Sequence, residues 1–196
     1  MKKISIALFL VFLAALNTVF AQVKYEKEYR IKPEEVPALA LAFTAALDFE
    51  KRIRWYKEEG LEATSIEGKI KNRQTGKRYS IEFSPDGTFE DVEIEIDWNE
   101  VPRLPGDSIY INLTRSFEKF KIEKIQVQFT GVEAAVQQKI RNRSIKPGPE
   151  VNTHYELITK VKKRKEVYRL ELLFNLEGML IRQDRLVSKN TDNLEY

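Results

Sequence analysis

The sequence predicts an α+β protein made of two tandem units, each a helix packed on a four-stranded antiparallel sheet. Three observations point there. The phrase "FSPDGTFED" at Phe83–Asp91 returns as "FNLEGMLIRQD" at Phe174–Asp184, in both cases an aromatic residue, an acid-Gly turn and a fresh strand-like run. A Val-Pro pair precedes an apolar stripe at helical spacing twice, at Val36 and at Val101. Between these marks, apolar and charged residues alternate with the period of two that a half-buried strand imposes.

In the first unit, "KPEEVPALALAFTAALDFEK" opens with Pro33, Glu34 and Glu35, residues that suit a helix first turn, where amides are free and the dipole favours acids. Val36, Leu39, Phe43 and Leu47, widened by Ala40 and Ala46, form the stripe expected to lie on the sheet. Four strands follow by alternation. Ile53 and Trp55 lead the first, and Ile66, Gly68 and Ile70 the second. Tyr79, Ile81 and Phe83 mark the third, and Val92, Ile94 and Ile96 the fourth. Pro85, Asp86 and Gly87 supply the turn between the last two.

The second unit starts at "NEVPRL", which echoes "EEVPAL". Asp107 or Ser108 is the expected helix cap, and Ile109, Leu113, Ser116, Phe117 and Phe120 the expected stripe. Ile125, Val127 and Phe129 should share one face of the next strand. An insertion at about 131–150 carries "IKPGPE", whose prolines oppose a regular strand. "HYELITKV", "VYRLELLF" and "GMLIRQDRLV" complete the sheet, with Glu177 and Gly178 at the turn where Asp86 and Gly87 stood. The expected division is a leader at 1–21, a first unit at 22–98 and a second at 99–196.

The leader reading rests on Lys2 and Lys3 before an apolar run, and on Val19 and Ala21 at the small-residue positions before a cut. Ile4 to Leu16 is too short to cross a bilayer, which takes about 20 residues, so cleavage after Ala21 and no transmembrane segment in the mature chain are expected. The whole sequence has 33 basic and 30 acidic residues. The leader holds two of the lysines and no acid, so the mature chain is nearly neutral, which opposes a nucleic-acid partner. There is no cysteine, which removes disulfides, thiolate chemistry and Cys-based zinc sites.

These motifs, "EVP" before each helix, "IRWYKE", "YSIEFSPDGTFEDVE", "FEKFKIEKIQVQF" and "HYELITKV...FNLEG", resemble those of the PepSY-like proteins exported by Bacteroidetes-type bacteria, a group related in fold to the β-lactamase inhibitory protein. They cover most of the mature chain, and their order is more specific than any one of them. The resemblance implies a helix on a four-stranded sheet twice over, in a periplasmic or secreted protein without enzyme activity. PepSY modules also occur in propeptides of thermolysin-type peptidases. Here no peptidase follows within the sequence, so inhibition is expected to act on a separate protein.

No catalytic, cofactor or metal site is expected. The one histidine, His154, has no nucleophile to serve, and neither a Gly-x-Ser-x-Gly elbow nor a phosphate-binding glycine loop is present. Glu93, Glu95 and Asp97 fall on a face read as wet, and the acids of "DGTFEDVE" lack the spacing of a calcium loop. Lys160, Lys162, Lys163, Arg164 and Lys165 read as a solvated hairpin tip, and Trp55 and Trp98 as core or interface.

The expected function is therefore a non-enzymatic envelope protein that binds or inhibits another protein, such as a peptidase or other envelope enzyme, through open sheet faces. Strand parity nominates Gln126, Gln128, Ile158, Lys160, Arg169, Glu171 and Leu173 as the partner-binding face. The linker "IRNRSIKPGPE", Ile140–Glu150, folding over Ile158 and Leu173 is the competing explanation for that face. The alternative function is a periplasmic carrier of a small molecule or lipid. The sequence leaves partner identity and oligomeric state open.

Overall fold

The computed structural model describes residues 22–47, 49, 52–61 and 63–188; the leader lies outside the described residues. The strands run β1 (Gln22–Ile31), β2 (Arg54–Glu59), β3 (Thr64–Lys71), β4 (Arg78–Phe83), β5 (Phe89–Glu95), β6 (Lys119–Gly131), β7 (Val151–Lys163), β8 (Glu166–Phe174) and β9 (Leu180–Ser188). Helix α1 (Ala38–Ala45) lies between β1 and β2, α2 (Arg103–Ser116) between β5 and β6, and α3 (Glu133–Arg141) between β6 and β7. Consecutive strands pair antiparallel from β1 to β9, and β1 also pairs parallel with β9, so the nine strands close on themselves. None of the described helices is long and apolar enough to cross a membrane.

The closure corrects the expected architecture. The protein is mainly β, with one continuous barrel-like sheet, and the two separate four-stranded sheets of the α+β reading do not exist. β5 pairs with β6 from Val92↔Phe129 to Glu95↔Gln126, joining what the sequence reading divided. β1, which that reading left unassigned, supplies the last pairing. Alternation dictates which side of a strand is apolar, but it is blind to what lies beside an edge, and an unpaired edge is a standing invitation to pair.

Local features agree more closely. Before α1 and α2 a 3-10 turn is closed by a carboxylate: the Lys32 N–H donates to Glu35 Oε2 at 2.8 Å, and the Asp97 N–H to Glu100 Oε2 at 3.0 Å, so Pro33, Glu34 and Glu35 form this preceding turn and not the first turn of the helix. The acid-Gly turns join β4 to β5 and β8 to β9, with Gly87 at φ 90° and Gly178 at φ 75°. A Cβ at Gly178 would sit 2.5 Å from the Pro105 carbonyl oxygen, and one at Gly87 2.6 Å from Pro37 Cβ. Each turn is thus seated on the start of a helix, which requires glycine twice over, for conformation and for space. Arg164 and Lys165 form the two-residue β7–β8 turn, both left-handed at φ 49° and 72°.

The core lies between the helices and the outer face of the sheet. Phe43 of α1 stacks on Phe89 at 4.5 Å and meets Phe83 edge-on at 5.5 Å, and Trp55 packs against the same Phe83. Ile109 and Leu113 of α2 and Val136 of α3 are fully buried in that cluster, with Val127, Phe129, Leu157 and Leu172 of the sheet.

Several details depart from the sequence reading. Leu39 is 59 % exposed, because the helix begins only at Ala38, after Pro37, and its phase turns Val36, Ala40, Phe43 and Leu47 inward instead. Asp107 and Ser108 lie inside α2, which starts at Arg103 behind Pro102. Phe120 belongs to β6, where an irregularity between Ile122 and Lys124 shifts the register so that Phe120 and Ile122 face the same side as Ile125. The insertion contains α3, whose Val136 and Ile140 are buried in the core, and the linker beyond it packs Ile145 against the same core, on the side of the sheet opposite Ile158 and Leu173. Trp98 is 38 % exposed in the second 3-10 turn.

Candidate functional site: the charged inner wall of the barrel

The strand residues turned away from the helices are mostly charged or polar, and many of them face the inside of the barrel. Lys69 on β3, Glu82 on β4, Asp91 and Glu93 on β5, Gln126 on β6, Glu156 on β7 and Glu171 on β8 line a cavity of about 470 Å³, with Lys24 and Glu28 of β1 on the closing side. Its wall holds ten acidic residues against five basic ones.

The register makes this imbalance costly. Glu67 stands directly opposite Glu82, and Glu82 opposite Asp91, so three carboxylates occupy neighbouring positions on three adjacent strands. Like charges in such positions destabilise a sheet. The consequence is a retained proton: burial, reinforced by Glu93 and Glu67, pushes the Glu82 carboxyl up to about 7 against the pull of a Ser65 hydrogen bond and the Lys24 charge. Burial followed by the charges of Glu93 and Glu82 drives Asp91 well above the usual carboxylate range. Burial raises the carboxyls of both Glu93 and Glu156, and the Glu93 and Glu171 charges push Glu156 further in the same direction. These groups correct the expectation that Glu93 sits on a wet face. It is half-buried on the cavity wall, with its Oε2 accepting from Gln126 Nε2 at 2.6 Å.

Cations answer part of the charge. Lys24 Nζ lies 2.8 Å from Glu171 Oε2, and Arg182 Nη2 2.9 Å from Glu171 Oε1. Arg182 also holds Asp184 at 2.9 Å. Lys69 bridges Glu67 at 2.8 Å and Glu28 at 2.9 Å; burial works against its charge, but those two acids overcome it and raise its pKa. The Lys24 ammonium lowers the pKa of Glu82, Asp91, Glu93, Glu156 and Asp184 together, so one lysine from β1 serves five acids. Gln128 Nε2 donates to Asp91 Oδ2 at 3.0 Å. Gln126 is only 2 % exposed, and its Oε1 receives no hydrogen bond.

Of the residues nominated by parity, Gln126, Ile158, Arg169 and Glu171 line this cavity. Gln128 and Leu173 are buried on the same side of the sheet, with Leu173 opposite Arg182 and Glu156, outside the apolar cluster. Lys160 is exposed. Sequence reasoning missed the contribution of β3, β4 and β5: Glu67, Glu82, Asp91 and Glu93 carry the same outward parity in the sequence, but nothing there shows that both halves enclose one space. Lys24 and Arg182 were missed for the same reason.

No protein-family model and no curated protein matches the sequence. Among solved structures, the fold is similar to that of a DUF2874-family protein from Bacteroides ovatus, at TM-score 0.50 and 8 % identity over 76 % of this chain and 87 % of that one. A candidate periplasmic protein from Bacteroides eggerthii matches at TM-score 0.48 and 13 % identity, over 76 % and 88 % of the two chains. A BLIP-like protein from Bacteroides fragilis matches at TM-score 0.46 and 14 % identity, over 80 % and 90 %. At 8 % identity the first match establishes shared fold alone.

Proposed function

We propose that the chain is an exported, non-enzymatic binding protein of PepSY-like kind, residing in the periplasm or beyond after loss of its leader, and that it holds its partner on the inner wall of the barrel. The observation that carries this reading is the opposed row Glu67, Glu82 and Asp91. A sheet with no use for that wall would alternate its charges or fill it with neutral side chains, since partly satisfied polar interiors cost stability. The leader's basic and apolar segments support export.

The occupant first expected was another protein on an open sheet. Closure by β1 favours one that can thread into the barrel, a small molecule or an extended segment. A lipid is a poor fit, because the cavity wall is charged and the space between helices and sheet is filled by Phe43, Phe83 and Phe129.

Native mass spectrometry of the protein isolated undenatured from its own envelope tests the reading. The parent should carry a non-covalent mass that is lost from the Glu82→Gln/Asp91→Asn double variant and kept by Lys163→Ala on the outer hairpin. A parent without any bound mass, or one whose bound mass survives the double variant, would sink the proposal.

A further inference from the structure

We infer that the inner wall is built for a linear polyammonium ligand, a chain of two or more ammonium groups joined by short methylene spacers. This rests on the wall being the binding surface, and it specifies what binds there. Acidic side chains outnumber basic ones ten to five on the wall, so a cation that ionises the retained carboxyls is the complementary ligand, and the layout distinguishes between kinds of cation. The acids are strung out along adjacent strands, whose spacing is about 4.8 Å, instead of converging: among the described residues no three acidic or histidine side chains come close enough to hold a metal ion. A single divalent ion would satisfy one point of such a row. Ammonium groups separated by three or four methylenes would meet successive strands.

Two further observations point to an N–H donor. Gln126 is almost wholly buried in the wall, spends its amide N–H on Glu93, and leaves its Oε1 without any donor. A buried carbonyl oxygen in that state costs stability until something donates to it, and an ammonium carries three N–H donors. The protein also shows how its wall receives an ammonium, because Lys24 from β1 already places one 2.8 Å from Glu171. Methylene spacers between the charges would meet the few apolar residues of the lining, Ile158, Leu186 and Val187.

Titration calorimetry of the full mature chain with spermidine, at pH 7 and physiological ionic strength, tests this. One saturable isotherm is expected. Its heat should differ between phosphate and Tris, because a bound ammonium ionises carboxyls that had kept their protons and the buffer takes those protons up. Asp91→Asn and Gln126→Leu should each weaken binding at least tenfold, and Lys163→Ala should leave it unchanged. Asp91→Asn is close in shape and removes a repulsion, so it should fold as well as the parent and decides the matter if Gln126→Leu does not fold. The inference is overturned by the absence of a saturable isotherm, by Mg²⁺ binding as tightly as spermidine, by tetralysine binding more tightly, or by affinity unchanged in Asp91→Asn. If the double variant above loses a natural ligand while spermidine fails to bind, the polyammonium assignment falls and the binding wall stands. If the parent holds no ligand of either kind, both fall.

Discussion

The outer and inner faces of the sheet are made by the same strands, one residue out of step, yet they end in opposite conditions. On the outer face Ile81, Phe83, Val92 and Phe129 are completely buried beneath helices, and aromatic contacts fill the space. On the inner face the sheet is covered only by itself, and Glu82, Asp91, Glu93 and Glu156 crowd around a cavity with carboxyls shifted toward their neutral forms. The difference teaches that closure of a sheet is not closure of a core. Helices bring apolar side chains that displace water, whereas β1 brings Lys24 and Glu28, which only redistribute charge. Stability therefore belongs mainly to the outer face, and the inner face is free to carry a function that costs stability.

That division can be broken from the outside first. Phe83→Ala empties a fully buried position touched by Phe43, Trp55 and Phe89, and should cost about 3–5 kcal/mol, the range for an aromatic truncated in a core. Urea unfolding should show the midpoint falling with little change in slope. A loss near 1 kcal/mol would mean that the outer face is less tightly packed than its contacts imply.

The inner face should respond to pH in the opposite sense from an ordinary surface carboxylate. Glu82 has its carboxyl raised from 4.5 to about 7 by burial, so between those values the folded state holds a proton that the unfolded chain has lost. Its contribution to stability is therefore fully present below about pH 4.5 and is lost as pH rises through about 7. Asp91 and Glu156 shift in the same direction. Thermal unfolding of the parent should fall from pH 5 to pH 8, and Glu82→Gln, which needs no proton to remain neutral, should narrow that fall and melt higher than the parent at pH 8. A parent whose melting temperature rises across that interval would show that the inner carboxylates are already compensated.

The smallest effect is expected where neither face is involved. Arg164 and Lys165 hold left-handed backbone at the β7–β8 tip, a conformation that costs a side-chain-bearing residue about 1–2 kcal/mol. Replacing the pair by Asn-Gly, the sequence such a turn prefers, should stabilise the protein by up to about 1 kcal/mol in the same urea assay and leave spermidine titration unchanged. A change in ligand affinity would extend the site to the hairpin.

The candidate site was legible in the sequence only as parity. Glu156, Ile158, Arg169, Glu171 and Leu173 could be assigned to one side because Tyr155, Leu157, Leu170 and Leu172 claim the other, and the structure keeps that side for the core. What parity could not reveal is that Glu82 and Asp91 of the β4–β5 pair line one cavity with Glu156 and Glu171 of β7 and β8. Alternation records a face; it contains no distance between residues of different strands.

What the sequence determined by itself is local: the strand runs, the acid-Gly turns at Gly87 and Gly178, the Val-Pro entries to α1 and α2, and the core sides of the strands. These follow from backbone conformation, hydrogen bonding and hydrophobicity within a few residues of one another. Tertiary structure decided the remainder. It joined β5 to β6, brought β1 against β9, seated α3 on the core and converted a face that reads as solvated into the wall of a cavity. Pairing of strand edges depends on backbone groups that every residue shares, so the side chains of β1 and β9 carry no signature of their pairing, and the pKa shifts that define the inner wall exist only once that pairing is made.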